Sequence, residues 1–172
     1  RLWLGCAMAA GAAFVAAVAF AYSAETIVSW NTAYVPINLV LNALAGGPVL
    51  AIAGLRAAGV DMRAGRIGRV LASVAAVALV ANTVTFCLQG AELGSIENSF
   101  VTAAQLVPFW GPMVGAFAVL GAAGVVVDGV ALWRGARLSL ARAAGATVLV
   151  LTGIFVMRFA FYMMHMTVGL GV

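Results

Sequence analysis

The 172-residue chain is 65% hydrophobic and 8% charged, with a mean hydropathy of +1.14 and a net charge of +4 carried by arginine without a single lysine. A water-soluble domain carries roughly 25% charged residues, so water is excluded as the main solvent. Nucleic-acid binding needs a basic face on a folded domain, and it is excluded too, because these arginines fall mostly between apolar runs.

Crossing hydrocarbon roughly 30 Å thick takes about 20 apolar helical residues. Five runs are long enough: about 2–22, 34–55, 68–89, 112–133 and 143–166. None alternates like a barrel strand, so backbone groups in lipid must be satisfied inside helices. The predicted fold is all-α: a single polytopic bundle of five transmembrane helices.

The first run starts at Leu2, directly after Arg1, without a separate charged region or cleavage site of the signal-peptide kind. The N-terminus is therefore expected to be a boundary within a longer protein, and the C-terminus a natural end. In the 23–33 loop Glu25 is the one charge, and Trp30 stands at a span end as an interfacial anchor would. The second run carries Asn38 and Asn42 one turn apart, and Gly46, Gly47 and Pro48 interrupt it, which predicts a kink. Next comes a basic region with Arg56, Arg63, Arg66 and Arg69 against Asp61.

The third run holds Asn82, expected with Asn38 and Asn42 to hydrogen-bond between helices, and ends near Gln89 and Glu92. The 90–111 segment has Glu92 and Glu97 as its only charges. Trp110 precedes the fourth run and Trp133 closes it. Near its start, GPMVG (111–115) has the small-xxx-small spacing that lets helices approach closely. Asp128, near its other end, is expected to reach the interface or pair with an arginine. Arg134, Arg137 and Arg142 then form a basic loop with no acid. The positive-inside rule places Arg1, 56–67 and 134–142 in the cytoplasm, and 23–33, 90–111 and the C-terminus outside. Cys6 and Cys87 sit in separate apolar runs, where a buried thiol acts as a small hydrophobe.

The last run contains Arg158, Tyr162 and His165, whose spacings put them on one stripe of a helix. At about 1.5 Å per residue Arg158 lies roughly 22 Å into its span, past the midplane. An ionised residue inside a span normally faces protein or a water-filled cavity and marks a functional site. The competing role for Arg158 is an outward-reaching anchor, or a partner for Glu92. With Gln89 and Glu92 at the same end, these residues suggest a cleft for a lipid-soluble ligand carrying carbonyls or hydroxyls. A lone histidine cannot supply two haem ligands, and cysteines clustered for an iron–sulfur centre are missing. No metal site, no covalently bound cofactor and no catalytic residue is expected in this chain.

The stretches QGAELGSIENSFVTAAQLVP (89–108) and RFAFYMMHMTVGL (158–170) resemble the membrane anchor subunit of anaerobic dimethyl sulfoxide reductases, the DmsC family. AYSAETIVSW (21–30) and ALAGGPVLAIAGL (43–55) add matches in similar order, and the resemblance runs the length of the sequence. That family has eight helices with both termini outside. The resemblance thus implies that these five helices are its C-terminal part, with three more preceding them. It also implies a multi-pass protein of the bacterial cytoplasmic membrane, working in anaerobic respiration. Its implied role is to hold an iron–sulfur electron-transfer subunit and a molybdopterin catalytic subunit at the bilayer, and to oxidise menaquinol to feed them electrons. The redox cofactors would sit on those partners. In that role Arg158, Tyr162, His165, Gln89 and Glu92 would bind quinol or relay its protons, and Glu92 and Glu97 would dock the iron–sulfur subunit. Two other readings stay open: a purely structural anchor without a quinol site, and a transporter. A transporter would show paired broken helices meeting at the midplane, whereas this chain has one interruption.

Overall fold

The computed structural model describes residues 2–23, 25–62 and 65–166. Arg1, Arg63 and the C-terminal end, on which part of the orientation reading rests, lie outside the described residues. Among the described residues five helices are long and apolar enough to cross a membrane: α1 (Leu2–Tyr22), α2 (Tyr34–Ala57), α3 (Arg66–Glu92), α5 (Trp110–Trp133) and α6 (Leu140–Met163). A single turn, α4 (Ala103–Leu106), lies between α3 and α5.

All five predicted spans are present, and their ends have local causes. α5 starts at Trp110, ahead of the apolar run, because Pro112 then falls in the first turn, where its missing N–H costs nothing. Ser139 caps α6 by accepting the Arg142 backbone N–H at 3.3 Å. Beyond α2 and α5 the backbone turns through Gly59 (φ 77°) and Gly135 (φ 62°), left-handed conformations that glycine adopts without a steric penalty. α6 stops at Met163, short of the predicted end at 166.

α2, α3, α5 and α6 form the bundle: α5 packs on α6 and α3, and α2 packs on α3 and α6, while α1 leans on α2. Lipid is as apolar as leucine, so helices associate in it through close packing and polar pairs. Both devices are present. A Cβ on Gly124 would sit 2.5 Å from the Ala146 carbonyl oxygen, and one on Gly153 would sit 3.1 Å from that of Phe117. The small-xxx-small spacing of GPMVG makes no close helix contact among the described residues. Gly111 and Gly115 are exposed, with nothing within 4 Å of a Cβ, because they lie on the outward side of α5. Gly46 and Pro48 are buried and α2 stays helical through them. Ile154 of α6 fills the space that a Gly46 side chain would need.

The asparagines are paired as expected. Asn82 donates to Asn42 at 2.7 Å, Asn38 donates to Gln89 at 2.8 Å, and Thr85 donates to Asn38 at 2.5 Å, so α2 and α3 are bonded through their buried faces. Thr147 of α6 donates to the Val49 carbonyl of α2 at 3.1 Å. Asp128 departs from expectation. Its side chain is fully buried, and neither carboxylate oxygen has a hydrogen-bond partner among the described residues. It lies on the inward face of α5. Cys6 and Cys87 also depart: both are exposed on helix surfaces, where an apolar solvent accepts a thiol as readily as a protein core does.

Candidate functional site

The 23–33 loop closes over the end of α6. Ser29 is buried and donates to the Met164 carbonyl, and the Val28 N–H reaches the Met166 carbonyl at 3.1 Å. Trp30 donates its indole N–H to the Phe161 carbonyl at 3.1 Å and stacks on the Phe161 ring, with centroids 4.6 Å apart. It is a clamp on α6 rather than a free interfacial anchor. Trp110 is buried, whereas Trp30 is half-buried, and it sets its indole N–H on the Phe86 carbonyl at 3.0 Å and its ring over Gly90. Trp133 stays exposed, and the Arg69 guanidinium lies 5.7 Å from its ring centroid.

Arg158 sits among aromatic rings. Its guanidinium carbon lies 4.7 Å from the Phe161 centroid, 4.9 Å from Tyr22 and 5.3 Å from Tyr162. It donates to the Tyr162 hydroxyl at 3.3 Å, and that hydroxyl is 2.6 Å from the hydroxyl of Tyr22. Ring faces carry negative quadrupole potential, so they shelter a cation where a carboxylate is lacking. Arg158 and Tyr162, expected on one stripe of the helix, are in contact, and the contact extends to Tyr22 at the end of α1. Sequence reading did not single out Tyr22, although it stands in the AYSAETIVSW stretch.

The other predicted site residues take separate positions. Glu92 accepts a hydrogen bond from Tyr34 at 2.6 Å, tying the end of α3 to the start of α2. His165 leaves the helical stripe because α6 has already ended. It is exposed, and its ring stands edge-on to Trp30 at 5.1 Å. Gln89 is buried, engaged by Asn38 and within 3.9 Å of the Met164 sulfur. Gln89 and Arg158 share only a narrow void of about 20 Å³, room for roughly one water. Glu97 is exposed and bridges to Thr102, which caps α4 through a reciprocal bond with Gln105. Leu93, Ala103 and Val107 hold this segment against the core.

On the other side of Arg158 a groove of about 310 Å³ runs between α1, α2 and α6. Phe14, Val18, Leu39, Leu151 and Ile154 make its walls apolar, and Arg158 and Asn42 bring polar groups to it. An apolar groove with a few donors suits an amphiphilic ring better than a charged metabolite. Among the described residues no three histidine, cysteine or acidic side chains gather as a metal site would need.

The family model described as "DMSO reductase anchor subunit (DmsC)" matches residues 1–164. The protein belongs to the DmsC family. It is 34% identical over 172 residues to the C subunit of the anaerobic dimethyl sulfoxide reductase of Escherichia coli K12, an alignment covering 99% of the present sequence and 59% of the relative. Against the anaerobic dimethyl sulfoxide reductase subunit YnfH of the same organism the identity is 33%, over 100% of the present sequence and 59% of the relative. The protein thus spans about three fifths of the length of these relatives. No solved structure matches.

Family membership and the five helices long and apolar enough to cross a membrane among the described residues make this a multi-pass membrane protein of the DmsC family. Of the two long stretches of resemblance, 89–108 is the segment that folds back through α4, and 158–170 carries the Arg158 cluster.

Proposed function

We propose that this protein, as the anchor of a molybdopterin oxidoreductase of the dimethyl sulfoxide reductase type, binds menaquinol beside Arg158 and passes its electrons to an iron–sulfur subunit. The observation that carries the reading is the groove between α1, α2 and α6, apolar along its walls and polar at Arg158 and Asn42. A quinol ring needs an apolar slot and donors at its oxygens. Arg158 and the Asn42 amide supply the donors.

Oxidation releases two electrons and two protons, and the Tyr162–Tyr22 hydroxyl pair beside Arg158 offers a short hydrogen-bonded route for a proton toward the exposed end near His165. Gln89 supports the site from behind through Asn38, a positioning role rather than a ligand's. Glu92 and Glu97 are exposed at the same end, where they would meet the iron–sulfur subunit. Iron–sulfur clusters and molybdopterin belong to the partner subunits in this reading.

The Arg158→Gln substitution in the whole complex is the test. Reduction of dimethyl sulfoxide driven by a menaquinol analogue should fall at least tenfold, while reduction driven by a soluble viologen dye, which bypasses the membrane subunit, should hold. The three rings around Arg158 also favour a second reading, in which this cluster only straps α1 to α6. In that case complex content, dye-driven and quinol-driven rates fall together.

A further inference from the structure

At the opposite end of the bundle, the turn after α2 and the connection from α5 to α6 enclose a cavity of about 240 Å³. Met62, Leu132 and Leu138, all buried, form its floor, and Arg56, Arg137 and Asp61 stand on its walls. Arg56 ends α2, and its Nη1 donates to the Val60 carbonyl at 2.5 Å, which holds the guanidinium in place. The Arg56 Nε is buried and has no hydrogen-bond partner among the described residues. A guanidinium is all donors and no acceptors, and buried donors are nearly always paired. Asp61, which has an interaction on the same wall, is not bonded to that Nε. The cavity therefore presents two guanidinium groups, one of them fixed and carrying a spare buried donor.

We propose that this cavity binds a phosphate-class anion, supplied by the headgroup of an anionic phospholipid. Arginine's planar fork matches phosphate oxygens in pairs. The cavity opens at the ends of two membrane-crossing helices, the level at which headgroups lie, and basic pockets between such helices hold them. The same end offers a place for the tails. A groove of about 390 Å³ begins at Arg66 and Arg69 and continues along Val70 and Val74 beside Trp133, the sequence neighbour of Leu132. A soluble phosphate would use the arginines but would have no use for the groove. The site is separate from the quinol groove and does not depend on it.

Native mass spectrometry of the full-length protein with its partner subunits, incubated with phosphatidylglycerol or phosphatidylcholine, tests this. The wild type should retain phosphatidylglycerol in preference to phosphatidylcholine. Arg56→Gln and Arg137→Gln should each weaken retention about fivefold, the size expected for one arginine beside an anionic headgroup, and Asp61→Asn should strengthen it. Arg137 is exposed, so its substitution leaves the fold untouched even if loss of the Arg56–Val60 bond does not. Arg134→Gln removes the same charge just outside the cavity and should change little. Equal retention of the two lipids, or an equal loss in Arg134→Gln, would overturn the proposal. Displacement of phosphatidylglycerol by millimolar inorganic phosphate would assign the cavity to a soluble anion and overturn the lipid source.

Discussion

α1 and α3 are both apolar enough to cross a membrane, yet they pack in opposite ways. α3 buries Ala72, Ala75, Leu79, Asn82, Phe86 and Gln89, a continuous face at three- and four-residue intervals. α1 buries Ala19 alone among its residues. What separates them is not greasiness but what each can offer a neighbour. α3 places an asparagine and a glutamine on its inner face and receives the close approach of α5, where Gly121 meets Leu79. α1 has Gly5 and Gly11 with nothing within 4 Å, and its polar tie is the Tyr22 hydroxyl at one end. In hydrocarbon an apolar side chain gains nothing by leaving lipid for protein, so hydropathy forecasts insertion and polar or small residues forecast assembly.

That contrast can be broken or sharpened by substitution. The largest effect is expected from Gly124→Leu, which drives a side chain into the Ala146 carbonyl and Val150. Overpacking against backbone should cost about 3 kcal/mol, seen as loss of folded protein in detergent melts, whereas the same change at Gly47, with open space around it, should be silent. Asn82→Ala strips the partner from Asn42 and should cost about 1–2 kcal/mol; a double-mutant cycle with Asn42→Ala should return a coupling of roughly 0.6–1.7 kcal/mol. If the cycle returned zero, polar pairing would not be what binds α3 to α2. Tyr22→Phe removes one hydroxyl bond worth about 0.5–1.5 kcal/mol. Its effect should be local, read as a broader α1–α6 distance distribution between spin labels, with the bundle's melting unchanged. Met8→Ala, on the exposed length of α1, should stay within about 0.5 kcal/mol of wild type.

Much of the site was legible because helical spacing is a strong constraint while a helix lasts. Arg158 and Tyr162 are one turn apart and do meet; Asn38, Asn42 and Asn82 do bond across helices. The failures occur where spacing stops being informative. His165 was placed on the same stripe, but α6 ends before it, and the residue turns to Trp30 instead. Glu92, a candidate partner for Arg158, went to Tyr34, and Arg158 is sheltered by rings drawn from two helices. Trp30 and Trp110 stand at span ends, yet each indole N–H donates to a carbonyl of a neighbouring helix, in the last turn of α6 for Phe161 and within α3 for Phe86, so both clamp helices together.

Composition and run length alone determined that the described residues form five membrane-length helices, and the motifs pointed to the family, because both are properties read residue by residue along the polypeptide. Which glycines touch, which tyrosines meet Arg158, and why Asp128 and Arg56 keep buried polar atoms without a hydrogen-bond partner among the described residues were decided only when the helices were set side by side. The physical reason is that entry into lipid adds up over single side chains, whereas contact between helices depends on the rotation and end point of each, and these are set by all their neighbours at once.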